Sequence, residues 1–150
     1  HLLSRRQRQM CIRDRNKYHA FLILDVDCFK QINDIYGHAV GDIVLQKFGK
    51  LLKGTFREGD ILGRIGGDEF GVIMKNIQTK DIAMKKAEEL LAKTQAYKID
   101  ELKGNNISIS IGISTAPQDG DCYMDLYKRA DQALYQAKRS GKARVCNYFS

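Results

Sequence analysis

Apolar positions recur with a clear period from Tyr18 onward, and they divide the rest of the chain into nine elements. The run AFLILDVD, residues 20–27, has the β-branched and aromatic character of a buried strand and ends in acids. CFKQINDIY follows as a short helical stretch stopped by Gly37. GDIVLQKFGKLLKGTF then sets Val44, Phe48, Leu51 and Leu52 at i, i+4, i+7 and i+8, which predicts a second helix. DILGRI and EFGVIM flank a glycine pair, the signal for a β-hairpin. DIAMKKAEELLAKTQAY, rich in Ala, Leu, Lys and Glu, predicts an amphipathic surface helix. In NNISISIGIS, Ile107, Ile109, Ile111 and Ile113 alternate with small polar residues, as in a strand with one buried face. MDLYKRADQALYQAKRSG is a helix closed by Gly141, and ARVCNYF is a last edge strand. The order βααββαβαβ predicts an α+β fold: a ferredoxin-like or palm-type, mainly antiparallel central sheet with flanking helices. The single proline, Pro117, falls in a loop, and no repeat or low-complexity tract interrupts the pattern.

A chain of 150 residues with 43% apolar content is the size of one domain able to bury a core. No apolar run reaches the length of a membrane span and no signal-peptide segment opens the chain, so a cytoplasmic domain is expected, alone or as the cytoplasmic part of a membrane-anchored protein without membrane contact of its own. Cys11, Cys28, Cys122 and Cys146 form no CxxC pair, which suits reduced thiols better than disulfides or zinc.

The formal charge of +7 matters only once it is located. Residues 1–17 hold Arg5, Arg6, Arg8, Arg13, Arg15 and Lys17 against Asp14, a net of +5, which leaves +2 for the other 133 residues. A basic arm on a nearly balanced body could be a phosphate-binding tail, and a nucleic-acid partner rests on that arm alone. We favour the plainer expectation that residues 1–17 are a non-native or disordered segment. SRRQRQMCIRDR looks like translated adaptor sequence, has no periodicity and joins abruptly to a patterned chain. No nucleic-acid partner is therefore expected.

Two places carry candidate chemistry. Along the first strand Phe21, Ile23, Asp25 and Asp27 share one face and Leu22, Leu24 and Val26 the other, so two acids finish a buried strand on one side. Asp27 is placed to cap the helix that begins at Cys28. Asp25 is too early for that, and a buried carboxylate needs a partner: a metal ion or a basic side chain. The second place is RIGGDEF, residues 64–70, where Gly66 and Gly67 permit positive φ and let backbone N–H groups approach an anion, while Asp68 and Glu69 bring charge to the same edge. Taken alone, this is an ordinary turn with solvated acids. Beside Asp25 it is how palm-type folds hold two divalent ions around nucleotide phosphates, and oxygen-only ligands point to magnesium or manganese.

In this order and spacing, DVDCFKQINDIYGHAVGD, RIGGDEF, SISIGIS and RADQALYQAKRSGKARV resemble the GGDEF family of diguanylate cyclases, from about Tyr18 to Tyr148. The resemblance implies a bacterial second-messenger enzyme that condenses two GTP into cyclic di-GMP and releases two pyrophosphates. It also implies two Mg2+ (or Mn2+) per site and a homodimer in which two domains face each other, each presenting one GTP. It assigns Asp25, the backbone carbonyl of Val26 and Asp68 as metal ligands. Glu69 would assist at the reacting centre, as a metal ligand or near the 3′-hydroxyl. Asn33 and Asp42 match the positions that read the guanine edge, Phe29, Lys30 and His38 the phosphate region and pocket wall, and Lys138 and Lys142 the phosphate-binding bases. Position 142 is more often Arg in the family, so Lys142 keeps the charge and loses the bidentate grip. Basic residues at a helix C-terminus are also favoured by its dipole, whatever the function. Arg57 and Asp60, in REGD, match the family's inhibitory site for cyclic di-GMP; by itself the string is a solvated turn before a strand.

The chain departs from the family pattern where a helix with an LTGLxNR-type motif would open the domain. Residues 18–150 are therefore expected to be a GGDEF domain lacking its N-terminal helix, and an upstream sensor domain is expected as a partner. The alternative from another class is a non-catalytic module that binds GTP or cyclic di-GMP; intact hairpin letters weigh against it. Use of ATP as a second substrate is disfavoured by Asp42, which suits guanine.

Overall fold

A computed structural model of the chain describes residues 17–148, and the expectation for residues 1–17 lies, Lys17 apart, outside them. The elements follow in the order β1 (Tyr18–Val26), α1 (Phe29–Tyr36), α2 (His38–Thr55), β2 (Ile61–Arg64), β3 (Glu69–Ile77), α3 (Asp81–Ala96), a 3-10 turn (Asp100–Leu102), β4 (Ile109–Ala116), α4 (Tyr123–Arg139) and β5 (Val145–Asn147). The expected order is reproduced. The strands form one sheet, β2-β3-β1-β4-β5, in which every pairing is antiparallel except β4 with β5. The architecture is thus the predicted α+β fold.

Alternation along β1 divides the core between two faces. Leu22, Leu24 and Val26 pack with Phe70, Val72, Ile109 and Ile111 under Val44, Phe48 and Leu52 of α2 and Leu90 of α3. Phe21 and Ile23 pack with Ile61 and Ile73 under Tyr123, Leu126, Ala130 and Leu134 of α4. Burying large aliphatic and aromatic side chains at about 1.5–3 kcal/mol each is what holds the layers together.

Strand β4 differs from expectation: all eight of its residues are buried, so it has no polar face. The small residues that alternate with its isoleucines are small because α4 lies on them. A Cβ at Gly112 would sit 2.2 Å from the Ala130 carbonyl oxygen and 2.3 Å from the Leu134 nitrogen. Nearby, the Ser114 hydroxyl donates to the Leu126 carbonyl at 2.6 Å. The helix ends at Gly141 as expected: Lys142 N–H bonds the Ala137 carbonyl at 3.0 Å and Gly141 N–H the Lys138 carbonyl at 3.4 Å, a Schellman closure.

Gly112→Ala must push α4 away from the sheet, and overpacking of this kind costs about 3 kcal/mol, or roughly 6–12 °C in melting temperature. Gly54→Ala, in α2 with open space around the new methyl, should be stabilising by about 0.5–1 kcal/mol. Thermal melts of the two variants beside the wild type check the contrast.

Candidate active site

The acidic residues meet where β1 ends and β3 begins. Asp25 is the cross-strand partner of Glu69 on one side and of Ser110 on the other. Val26 N–H reaches the Asp68 carbonyl at 3.4 Å, which ties the hairpin tip to the end of β1. Asp68 and Glu69 are half-buried and Asp25 is buried. One Asp25 oxygen, Oδ2, takes the ammonium of Lys138 from α4. The other, Oδ1, is the one buried side-chain polar atom without a hydrogen-bond partner among the described residues. The partner foreseen for Asp25 as a metal or a basic side chain is therefore, in part, a basic side chain.

Burial first, and the adjacent Asp68 second, push the Asp25 carboxyl from an ordinary 3.8 up to about 7, against the opposing pull of Lys138. Burial and the field of Asp131 likewise raise Glu69, although the Tyr127 hydroxyl donates to its Oε1 at 3.4 Å. For Lys138, burial opposes the charge, but Asp25, Asp68 and Asp27 outweigh it and its pKa rises. These directions describe carboxylates crowded without enough positive charge.

The donor set fits a hard divalent cation. It is all oxygen, one oxygen is buried with nothing to bond, and ionisation there is disfavoured until a cation arrives. The side chain of Asp68 adjoins that of Asp25, but the three carboxylates of Asp25, Asp68 and Glu69 do not all lie within 4.8 Å of one another. Among the described residues the group that meets that spacing is Asp121, Cys122 and Asp125, outside the acidic end of the sheet, where Asp125 faces Arg129 at 4.0 Å.

Two expectations about local geometry are corrected. Asp27 does not cap α1; the N-cap is Cys28, which makes no side-chain cap bond. Instead Asp27 accepts from the Ser108 hydroxyl at 2.5 Å, the Ser110 hydroxyl at 2.6 Å and Ala143 N–H at 3.1 Å, fastening the end of β1 to β4 and to the loop after α4. Nor do Gly66 and Gly67 adopt positive φ. What distinguishes them is space: a Cβ at either would meet nothing within 4 Å. Their carbonyls are held by Arg64, whose Nε reaches Gly67 at 2.8 Å and Gly66 at 3.2 Å, and the Gly66 N–H bonds the Glu69 carbonyl at 3.3 Å. The space beside both glycines is open.

The remaining predicted residues line α1, α2 and the end of α4. Asn33 lies across Gly41 so closely that a Cβ there would be 1.9 Å from Asn33 Oδ1 and 3.2 Å from the Phe29 ring, which groups Asn33 and Phe29 beside the residue preceding Asp42. Lys30, His38 and Asp42 are exposed. Lys142 is exposed, with its ammonium 3.3 Å from Cys28 Sγ at the start of α1, so it stands on the same edge as Lys138. Arg57 and Asp60 form a closed turn: Arg57 Nε and N–H donate to the two Asp60 oxygens at 2.9 and 3.2 Å, and the guanidinium also donates to the Lys75 carbonyl. Residues not anticipated are Gly41, which receives Asn33, and Tyr127 and Asp131, which face Glu69 from α4. The only mark of Tyr127 and Asp131 in the sequence is their spacing with Lys138 along one side of α4.

The family profile described as "Diguanylate cyclase, GGDEF domain" matches residues 2–144. The chain belongs to the GGDEF-domain family of diguanylate cyclases. Diguanylate cyclase A of Treponema denticola is 40% identical over 127 residues, covering 84% of this chain and 34% of that protein. The response regulator PleD of Caulobacter vibrioides is 40% identical over 127 residues, 83% of this chain and 28% of its own length. This GGDEF domain thus spans about a third of the length of the curated relatives it matches. Among solved structures, the GGDEF domain of TpbB from Pseudomonas aeruginosa superposes with a TM-score of 0.89 at 35% identity, covering 99% of this chain and 91% of that one. The active GGEEF domain of a diguanylate cyclase from Vibrio cholerae gives 0.83 at 31%, covering 99% and 90%. No described helix is long and apolar enough to cross a membrane.

The raised pKa of Asp25 sets a pH dependence. A carboxyl raised on folding contributes stability that is fully present below its unfolded value near 3.8 and is lost as pH climbs through about 7. In metal-free buffer, the urea midpoint of the wild type should fall between pH 5 and pH 8 relative to Asp25→Asn. The variant should be the more stable at pH 8.

Proposed function

We propose that this domain is a diguanylate cyclase: it condenses two GTP into cyclic di-GMP with loss of two pyrophosphates, in the cytoplasm, as a homodimer. The observation that carries this is the buried Asp25 carboxylate with an oxygen that no donor reaches, paired with Glu69 across the β1–β3 register and adjacent to Asp68. Asp25, the Val26 carbonyl, Asp68 and Glu69 would hold Mg2+ or Mn2+, two ions per site. Bound there, such ions supply electrostatic stabilisation of the charge that develops on phosphate oxygens and make a 3′-hydroxyl a better nucleophile.

The other residues bind and orient. Asn33 and Asp42 hydrogen-bond the guanine edge, an amide that donates and accepts beside a carboxylate that accepts from ring and exocyclic N–H. Phe29 packs against the base side of the pocket, and His38 completes its wall. Gly66 and Gly67 leave room for phosphate next to the hairpin backbone. Lys30, Lys138 and Lys142 offset triphosphate charge; Lys138 spends one N–H on Asp25 and has two more donors to offer a phosphate. Glu69 sits where it can take part at the reacting hydroxyl. Two such domains facing each other set each 3′-hydroxyl against the partner's α-phosphate, which turns two nucleotides into a ring.

Product is proposed to inhibit at Arg57 and Asp60. The planar Arg57 fork can stack on a guanine or bond phosphate, and Asp60 holds its Nε in place.

Purified protein at high concentration with GTP and Mg2+ should yield cyclic di-GMP by chromatography with mass detection, and Asp68→Ala should lower the rate at least about a thousandfold. Absence of product from wild-type protein that still binds cyclic di-GMP would replace this reading with a binding module. Separately, Arg57→Ala should keep its initial rate while needing at least about tenfold more added cyclic di-GMP for half-inhibition, the loss expected for one charge-assisted bond.

A further inference from the structure

Helix α4 reaches the acidic end of the sheet from two places. Lys138, near its C-terminus, meets Asp25, and Tyr127, eleven residues earlier, donates its hydroxyl to Glu69 Oε1 at 3.4 Å. Eleven residues of helix rise about 16 Å, so only long side chains leaning toward each other can converge on two neighbouring acids. Because Asp25 and Glu69 are cross-strand partners, one helix holds both, the first through charge and the second through a hydroxyl.

The Tyr127 ring has little freedom. It is tilted against Phe21 at 5.9 Å between ring centres and against Tyr123 at 5.8 Å, and Tyr123 meets Phe21 edge-on at 5.2 Å. Three mutually packed aromatics fix the ring plane, and with it the position of the hydroxyl. Phe21, Ile23 and Asp25 follow one another on β1 under α4, with Ile73, Gly71 and Glu69 as their partners on β3. From its anchorage at Phe21 the tyrosine reaches Glu69.

The choice of donor is chemically specific. A lysine or arginine here would neutralise Glu69 and compete with a cation for it; a phenol donates one hydrogen bond and adds no charge. At 3.4 Å the contact is longer than the roughly 2.5–3.0 Å usual for O–H···O, so it guides the carboxylate without clamping it.

We propose that Tyr127 is a positioning residue: its hydroxyl sets the orientation of Glu69 toward the reacting centre. This rests on the cyclase reading, and it concerns a residue on a different element from the hairpin and strand that carry the acids.

The test compares wild type, Tyr127→Phe, Glu69→Gln and the double variant. Two quantities are measured: GTP turnover at saturating Mg2+, and the Mn2+ concentration that gives half of the maximal thermal stabilisation. Tyr127→Phe keeps the ring and its packing, so its melting temperature should stay within about 2 °C and its KM within about twofold. Its kcat should fall about tenfold and its Mn2+ midpoint rise about threefold, on the scale of one lost hydrogen bond to a charged group. In the Glu69→Gln background the same substitution should change neither quantity, because the effect passes through Glu69. Unchanged kcat and Mn2+ midpoint in Tyr127→Phe, or equal losses with and without Glu69, overturn the proposal. Should wild-type protein make no cyclic di-GMP, the cyclase reading fails, and the four Mn2+ midpoints still decide whether Tyr127 acts through Glu69.

Discussion

Helix α4 lies so close to β4 that the backbone at Ala130 and Leu134 occupies the space a side chain at position 112 would fill. Backbone against backbone leaves no flexible atoms to absorb a displacement, and close-packed interiors pass such displacements on. The height of the helix above the sheet fixes where Lys138 and Tyr127 arrive, and they arrive at Asp25 and Glu69. It also fixes the loop after the helix, whose Ala143 N–H bonds Asp27 and whose Lys142 stands beside Cys28. One glycine thus governs how the basic side of the site meets the acidic side.

Asp25 and Asp27 are two residues apart and are treated in opposite ways. Asp27 receives two hydroxyls and a backbone N–H, so both of its buried oxygens have hydrogen-bond partners. Asp25 receives one ammonium and is left with an orphaned oxygen beside Asp68. A fold selected only for stability would have satisfied both. The asymmetry marks Asp27 as the brace, and under the proposed function it leaves Asp25 available, so that cation binding and folding would draw on the same electrostatic deficit.

The order of strands and α-helices along the chain was legible because hydrophobic period depends on near neighbours in the chain. The acids of β1 and the hairpin were legible for the same reason, since two-residue alternation places Asp25 on the face of Ile23. Asp27 was misread because its local context, an acid before a helix, signals a cap, whereas its real partners come from β4 and from the loop after α4. Gly66 and Gly67 were expected both to exploit positive φ and to leave the backbone approachable; neither adopts positive φ, and the open space beside them is a property only the surroundings can show. The polar positions of β4 looked solvent-facing because a serine or glycine under a helix has the same letters as one in water. Tyr127 carried no signal beyond its place on the helix, since its role depends on Phe21, Tyr123 and Glu69 arriving from elsewhere.

If the turn of Arg57 and Asp60 is the inhibitory site proposed above, it would share atoms with the scaffold without weakening it. The Asp60 side chain is fully buried and bonded to the Arg57 backbone and Nε, so the carboxylate is already committed to the turn. The Arg57 side chain is about half exposed, and beyond Nε it spends its guanidinium on one backbone carbonyl, that of Lys75. A ligand arriving there competes for that single bond and leaves the turn closed. In the proposed inhibitory role, Asp60 would hold the fork of Arg57 in one plane while the exposed edge engages product. The protein would then exchange one carbonyl for a phosphate or guanine acceptor, a near-balanced trade whose outcome follows product concentration.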